Sequence, residues 1–308
     1  MNKLDLNIIY LIFGFLSFPS KITFRCISKY MHLLEIHDFY NIDEKYLRLL
    51  NDKILLNYPF IRYLNAYNNP KITNINHLDK LIKLNASENC GITDEGIKKV
   101  NLKKLNVCSN QKITNLNHMD KLIKLNVSET SGITDEGIKC LYNVKKLNAY
   151  NNPKIININH MHNLEELDAS KKCGITDEGI KNLKNIIKLY AYNNPKITNI
   201  NHMDKLLELD ASYNCGITNN GIKNLNNIRR LCVNDNIKIT KIKHMYNLVE
   251  LDACFNSGIT DKEITNLNIK ILYFAGNEKI NDINPNVTLI KRNLPGYCDW
   301  CDNPGYNI

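Results

Sequence analysis

The residues best equipped for chemistry in this 308-residue chain are cysteines, histidines and carboxylates that recur at regular places. Cys298 and Cys301, in Cys-Asp-Trp-Cys, are the one local pair that could hold zinc or cycle between thiol and disulfide. A single C-x-x-C supplies half a zinc ligand set, and no strand–helix context of redox type surrounds it. A tail that caps the end of the fold accounts for the pair, with a metal as the alternative. His77, His118, His160, His202 and His244 fall at matching positions, as a ligand array would. Cys90, Cys173 and Cys215 each precede Gly-Ile-Thr, and an Asp-Glu pair recurs in Thr-Asp-Glu-Gly. No Gly-rich phosphate loop, Ser elbow or paired-carboxylate constellation appears, so the sequence points to a protein that is not an enzyme and needs no cofactor.

Composition narrows the partners. The formal charge of +9 invites nucleic acid, but the chain is rich in Asn, Ile, Lys and Tyr, the residues that A+T-rich codons specify. Surplus lysine of that origin is spread over a surface, whereas a nucleic-acid site gathers it in one patch with stacking aromatics. The expectation is no nucleic acid. No membrane span is expected either, because the longest apolar run, Ile8 to Phe18, falls short of the roughly 18 residues required. That run resembles a signal peptide after Lys3, yet Asp5 lies in its basic flank and Phe18-Pro19-Ser20-Lys21 offers no small-residue cleavage site. The ten cysteines are therefore read as reduced, in an intracellular protein that is not secreted.

What positions these residues is a repeat. Ile61-Arg-Tyr-Leu-Asn-Ala-Tyr-Asn-Asn, Leu81-Ile-Lys-Leu-Asn-Ala-Ser-Glu-Asn and Leu102-Lys-Lys-Leu-Asn-Val-Cys-Ser-Asn share the frame apolar-x-x-Leu-x-apolar-x-x-Asn. Its Leu recurs at 64, 84, 105, 125, 147, 167, 189, 209, 231, 251 and 272, which makes eleven units with steps of 20 to 22 residues. Odd units continue as Lys112 to Met119 does, even units as Gly132 to Lys139 does. In the even type, Thr134 is placed to cap a short helix with two acids in its first turn; the odd type predicts an extended turn. Frame positions 4 and 6 point into the interior, and positions 3, 5 and 7 onto the open sheet face. The Asn at position 9 satisfies backbone groups where the chain leaves the strand.

The pattern resembles leucine-rich repeats, with the even units similar to the cysteine-containing subclass. The resemblance implies an α/β solenoid of eleven short parallel strands in an open arc. At about 4.8 Å between strands, successive histidines of the array stand about 10 Å apart, too far to share a zinc ion bound at about 2.0–2.1 Å. Cys173 and Cys215 likewise exceed the roughly 7 Å Cα limit for a disulfide. Both columns are repeat grammar, and the His column is expected on the convex surface.

The first sixty residues lack the frame. Leu4 to Leu16 reads as a helix with two apolar stripes, Leu4, Ile8, Ile12 and Leu16 on one side and Ile9 and Phe13 on another. A second helical pattern runs from Ile22 to Leu34, and a third from near Asp43 to before Pro59. Leu4-Asp5-Leu6-Asn7, Ile12-Phe13-Gly14-Phe15-Leu16 and Ile27-Ser28-Lys29-Tyr30-Met31 together resemble an F-box, the helical module that docks on the Skp adaptor of cullin-RING ubiquitin ligases. This chain departs from the F-box pattern in lacking its Pro and Glu and in carrying Met31 for its Trp. With the Asn, Ile and Lys bias, the whole resembles the F-box/leucine-rich-repeat proteins of amoebal giant viruses of the mimivirus kind.

The resulting expectation is a small all-helical F-box-like module at 1–45, a linker or capping helix at 46–60, repeats at 61–290 and a tail at 291–308. The resemblance implies a substrate-receptor subunit of a Skp-cullin-F-box ubiquitin ligase in the host cytoplasm. Leu4, Ile8, Ile9, Ile12, Phe13, Leu16 and Ile27 would bind a Skp-type host adaptor. The concave sheet face would bind a protein target through Tyr67, Lys83, Lys104, Lys124, Lys146, Tyr150, Asp168, Tyr192 and Asp210. The alternative is an interaction scaffold whose N-terminus only caps the solenoid.

Overall fold

The computed structural model describes residues 6–28, 31, 34–282 and 287–290. Leu4, Cys298 and Cys301 lie outside them. The chain divides into two compact units, Met1–Leu102 and Lys103–Ile308.

The first unit opens with helices α1 (Leu6–Phe15) and α2 (Phe18–Arg25). Ser17 separates them: its backbone is extended, and its hydroxyl accepts the Ser20 N–H at 3.4 Å. Pro19 sits in the first turn of α2, where a missing N–H costs nothing. Then follow β1 (Asp38–Phe39), α3 (Glu44–Leu47), α4 (Asp52–Leu55), β2 (Tyr63–Asn65), β3 (Lys83–Asn85) and α5 (Asp94–Ile97). The three strands pair in parallel, Phe39 opposite Leu64 and Leu64 opposite Leu84.

Here the structure differs from the helical expectation three times. The second helical pattern stops at Arg25 rather than running to Leu34. Strand pairing starts one coil ahead of the first full frame, because Phe39 does the work of a frame Leu. It is buried, its ring 5.1 Å from that of Phe18 and 5.0 Å from that of Tyr58. The third helical pattern breaks into α3 and α4, because Asn51 adopts extended backbone and caps α4 by accepting the Ile54 N–H at 3.0 Å.

The second unit runs β4 (Lys104–Asn106), β5 (Lys124–Asn126), α6 (Asp135–Ile138), β6 (Lys146–Asn148), β7 (Glu166–Asp168), α7 (Asp177–Ile180), β8 (Lys188–Tyr190) and β9 (Glu208–Asp210). It continues α8 (Asn219–Ile222), β10 (Arg230–Cys232), β11 (Glu250–Asp252), α9 (Asp261–Ile264), β12 (Ile271–Tyr273) and β13 (Thr288–Ile290). The ten strands lie in sequence order in an open parallel sheet. With β1 and β13 flanking the eleven strands that carry a frame Leu, more strands form than the frame marks. Each even unit carries its short helix, and the odd units between them carry none.

Frame positions 4 and 6 fill the interior as expected: Leu105, Val107, Leu125, Val127, Leu147 and Ala149 are all buried. The position-9 asparagines tie coils together. Asn152 Nδ2 donates to the Val127 carbonyl at 2.6 Å, and its Oδ1 accepts the Lys154 N–H at 3.0 Å. Asn194 and Asn236 repeat both bonds.

The even-unit helices are held differently from the capping expectation. Thr134 occupies the N-cap position, but its side chain makes no cap bond. The acid after it reaches the next coil instead: Asp135 accepts the Ile156 N–H at 2.8 Å and the Asn157 N–H at 3.1 Å. Asp52 and Asp177 grip the Thr73 and Thr198 backbones in the same way. Gly137 lets α6 lie on the preceding coil, since a β-carbon there would stand 2.0 Å from the Thr114 carbonyl oxygen.

The histidine column is also bonded between coils. His160, His202 and His244 meet the carbonyls of Ile138, Ile180 and Ile222 at 3.0, 3.1 and 3.0 Å. These rings are half-buried and tie one coil to the next. Burial holds the His160 ring nitrogen below the usual pKa.

Candidate protein-interaction surfaces

Helix α1 sorts its apolar residues onto two sides. Ile9 and Phe13, one turn apart, are buried. The Phe13 ring lies 6.0 Å from that of Phe24, with the Lys21 ammonium 5.8 Å from its centre. The other side is uncovered: Ile8, Leu11, Ile12 and Phe15 are 46, 62, 41 and 84% exposed. Their spacing of i, i+3, i+4, i+7 is that of a helix which lays its face into a groove. Leu16 is half-buried, and Ile27 is exposed beyond α2. Of the residues expected to bind an adaptor, Ile8, Ile12 and Ile27 are therefore available, whereas Ile9 and Phe13 point into the chain. Leu11 and Phe15 complete the exposed stripe. The same helical periodicity that marked Ile8 and Ile12 would have found them.

In the first unit, the sheet face presents Tyr67 at 45% exposure and the Lys83 ammonium 3.8 Å above the Tyr40 ring. In the second, the three outward columns have different characters. Position 5 is spent on local turns. The Oδ1 atoms of Asn106, Asn126, Asn148, Asp168 and Asp210 accept the N–H two residues on, at 2.9–3.0 Å. Those turns lead into a left-handed residue at frame position 8, such as Ser109, Glu129, Asn151 or Lys171.

Asp168 and Asp210 are buried, which corrects their expected place on the open surface. Tyr190 stands between them in register. Burial raises Asp168 to about 6 and Asp210 to about 7, the latter helped by Asp168 and Asp252. One oxygen of each carboxyl has no hydrogen-bond partner among the described residues.

Position 7 carries the tyrosines. Tyr150 is only 8% exposed, so the expected row of exposed aromatics is partly sunk. The Lys171 ammonium lies 4.8 Å from the Tyr150 ring centre, and the Tyr192 hydroxyl donates to that of Tyr150 at 3.1 Å. Tyr192 is half-exposed, with the Tyr213 ring 6.3 Å away.

Position 3 carries charge. Lys104, Lys124 and Lys146 stand in register and half-exposed, followed by Glu166, Lys188, Glu208, Arg230 and Glu250.

Among the described residues no group of three His, Cys, Asp or Glu is placed to hold a metal ion. Cys173 and Cys215 are buried, and burial pushes each thiol up to about 12. No helix among the described residues is long and apolar enough to cross a membrane.

No protein-family model and no curated protein sequence matches the chain. Solved structures do. An internalin (inlF) from Listeria monocytogenes superposes with a TM-score of 0.55 at 18% identity, over 77% of this chain and 88% of that one. The functional domain of InlJ from Listeria monocytogenes, described as including a cysteine ladder, gives 0.50 at 19% identity, over 70% of this chain and 50% of that one. At such identities the likeness shows the fold alone: an α/β leucine-rich-repeat solenoid.

Proposed function

We propose that the chain is the target-receptor subunit of a Skp-cullin-F-box type ubiquitin ligase, working in the host cytoplasm as the F-box resemblance implies. The exposed stripe of α1 would dock on a Skp-type host adaptor, and the sheet face of the repeats would hold a protein target. The carrying observation is that stripe: four large apolar side chains on one helix face, uncovered, ahead of an interaction solenoid. A soluble chain gains by burying such a face, at about 25 cal/mol per Å² of apolar surface. Ile8, Leu11, Ile12, Phe15 and Ile27 are the contact residues of this reading, while Ile9 and Phe13 hold α1 in place. On the sheet face, the half-exposed Lys104, Lys124, Lys146 and Tyr192 would touch the target, with Tyr150 holding the Tyr192 hydroxyl and Asp168 and Asp210 buried out of reach.

The test is direct capture of a purified Skp adaptor by the full chain at micromolar concentration. Phe15→Asp would bury an unpaired charge in the interface, so it abolishes capture while the melting temperature stays put. If the wild-type chain captures no adaptor, the scaffold reading replaces the ligase reading. A specific observation favours that second reading: Phe18 of α2 packs on Phe39 and, at 5.8 Å, on Tyr46, so the N-terminal helices also serve as a cap on the first coil.

A further inference from the structure

The position-3 row contains an internal contrast. From Lys146 onward its signs alternate and its members are neutralised. Lys146 pairs with Glu166, Lys188 with Glu208 at 2.8 Å, and Arg230 with Glu208 at 3.8 Å and Glu250 at 2.9 Å. The first three members of the unit break that rule. Lys104, Lys124 and Lys146 are directly opposite one another on adjacent strands, and like charges so placed destabilise a sheet. Among the described residues neither Lys104 nor Lys124 makes an ion pair. Burial, and then Lys146 and Lys104 alongside it, hold the Lys124 ammonium below its usual pKa.

The neighbouring columns supply no acid there. Position 5 is Asn106, Asn126 and Asn148, each with its oxygen committed to its own turn. Position 7 is Cys108, Ser128 and Tyr150. Lys104 and Lys124 thus stand unpaired on a stretch of sheet whose nearest row acid, Glu166, is already engaged by Lys146, on a scaffold that neutralises this same row farther along.

We infer that Lys104, Lys124 and Lys146 form a recognition site for an acidic, extended segment of a protein target. The inference deepens the reading of the sheet face as the target surface and rests on it. Three strands place the outer lysines about 10 Å apart, and alternate side chains of an extended peptide lie about 6.6–6.8 Å apart on one side. Two carboxylates in an acid-x-acid segment therefore reach all three ammoniums, in charge-assisted hydrogen bonds that are roughly twice as strong as neutral ones. Half-burial of the lysines weakens screening by salt. Glu166 closes the row and shares the Lys146 ammonium with the segment, so Lys104 and Lys124 supply the two uncommitted charges. A protein segment suits the site better than nucleic acid because Tyr150, the aromatic beside the row, is sunk and its hydroxyl already accepts from Tyr192; no open ring face is left there for a base.

The probe is a fluorescein-labelled (Gly-Glu)3 peptide, titrated with the full chain by anisotropy, against (Gly-Gln)3 and a ten-nucleotide oligothymidylate. The expected result is binding of the Glu probe, weakened at least tenfold by the combined Lys104→Gln, Lys124→Gln and Lys146→Gln changes. Removing Lys139, Lys181 and Lys223, which cap α6, α7 and α8, takes away the same charge and changes affinity less than twofold. Relief of like-charge crowding keeps the melting temperature of the row variant at or above wild type, and Lys124→Arg alone retains binding. Equal binding of the Gln probe, or equal weakening by the two triple variants, overturns the proposal. So does tighter, row-dependent binding of the oligonucleotide. Once a native target is in hand, loss of its capture with Tyr192→Ala but not with the row variant removes the acidic segment and leaves the sheet-face reading. Capture unchanged by both removes the two together.

Discussion

Asp210 occupies a column that is Asn106, Asn126 and Asn148 in earlier strands, and asparagine makes the same turn there without a charge. Its folded pKa of about 7 lies above the ordinary value of 3.8. Between those values the native chain keeps a proton that the unfolded chain has lost, so stability falls as pH rises through about 4 to 7 and then levels. Asp210→Asn is therefore expected to stabilise the protein by about 1–3 kcal/mol at pH 8. The gain should vanish near pH 4, and thermal melts at the two pH values read it. A gain that is independent of pH would contradict the assignment. Asn152→Ala, which strips a buried tie to Val127 and Lys154, should cost about 1–3 kcal/mol. His160→Ala, which frees the Ile138 carbonyl, should cost about 1 kcal/mol; both are read by denaturant unfolding. The local half of the Asn152 role, its bond to Lys154, was legible because its column leaves the strand at a fixed step; its tie to Val127, 25 residues back, was not. The roles of His160 and Asp135 were not, because their partners lie in adjacent coils, 22 and 21 residues away. A frame aligned on the strands does not show what meets across that distance.

At the scale of elements, strand and helix placement followed from periodicity, but the reasons for the helices lay elsewhere. Four of the five even-unit helices lie close on the preceding coil through a glycine, whereas α9 forms with Glu263 in that place. Gly137 meets the Thr114 carbonyl, and Gly96, Gly179 and Gly221 repeat the approach to Thr73, Ile156 and Thr198. Gly137→Ala should cost at least about 1–3 kcal/mol through overpacking against backbone, although alanine is the better helix former by about 1 kcal/mol. Denaturant unfolding decides the sign: a gain would mean that propensity, rather than the approach, governs the turn. In α1 the two apolar stripes were readable, but which of them is covered was not. That depends on Phe24 and Lys21 of α2, which meet Phe13 and not Phe15.

At the scale of the whole molecule, the repeat frame carried most of the fold because each coil buries the same columns against its neighbours, so every copy restates one packing rule. What it could not carry was the condition of the outward face. Residues that point away from the interior by alternation, Asp168 and Asp210 among them, are nevertheless buried. A single strand's pattern contains no sign of this, and the proposed contact surface narrows to the lysine row and Tyr192. The account joins an adaptor-docking helix to a target-holding sheet in one chain. The measurement that tests this most directly is amide hydrogen exchange of the full chain with and without a purified Skp adaptor. The account predicts slowed exchange confined to α1 and the segment through Ile27, with the strands from Lys104 to Asp252 unchanged. Exchange in α1 that is indifferent to the adaptor, or protection that appears on those strands instead, would contradict it.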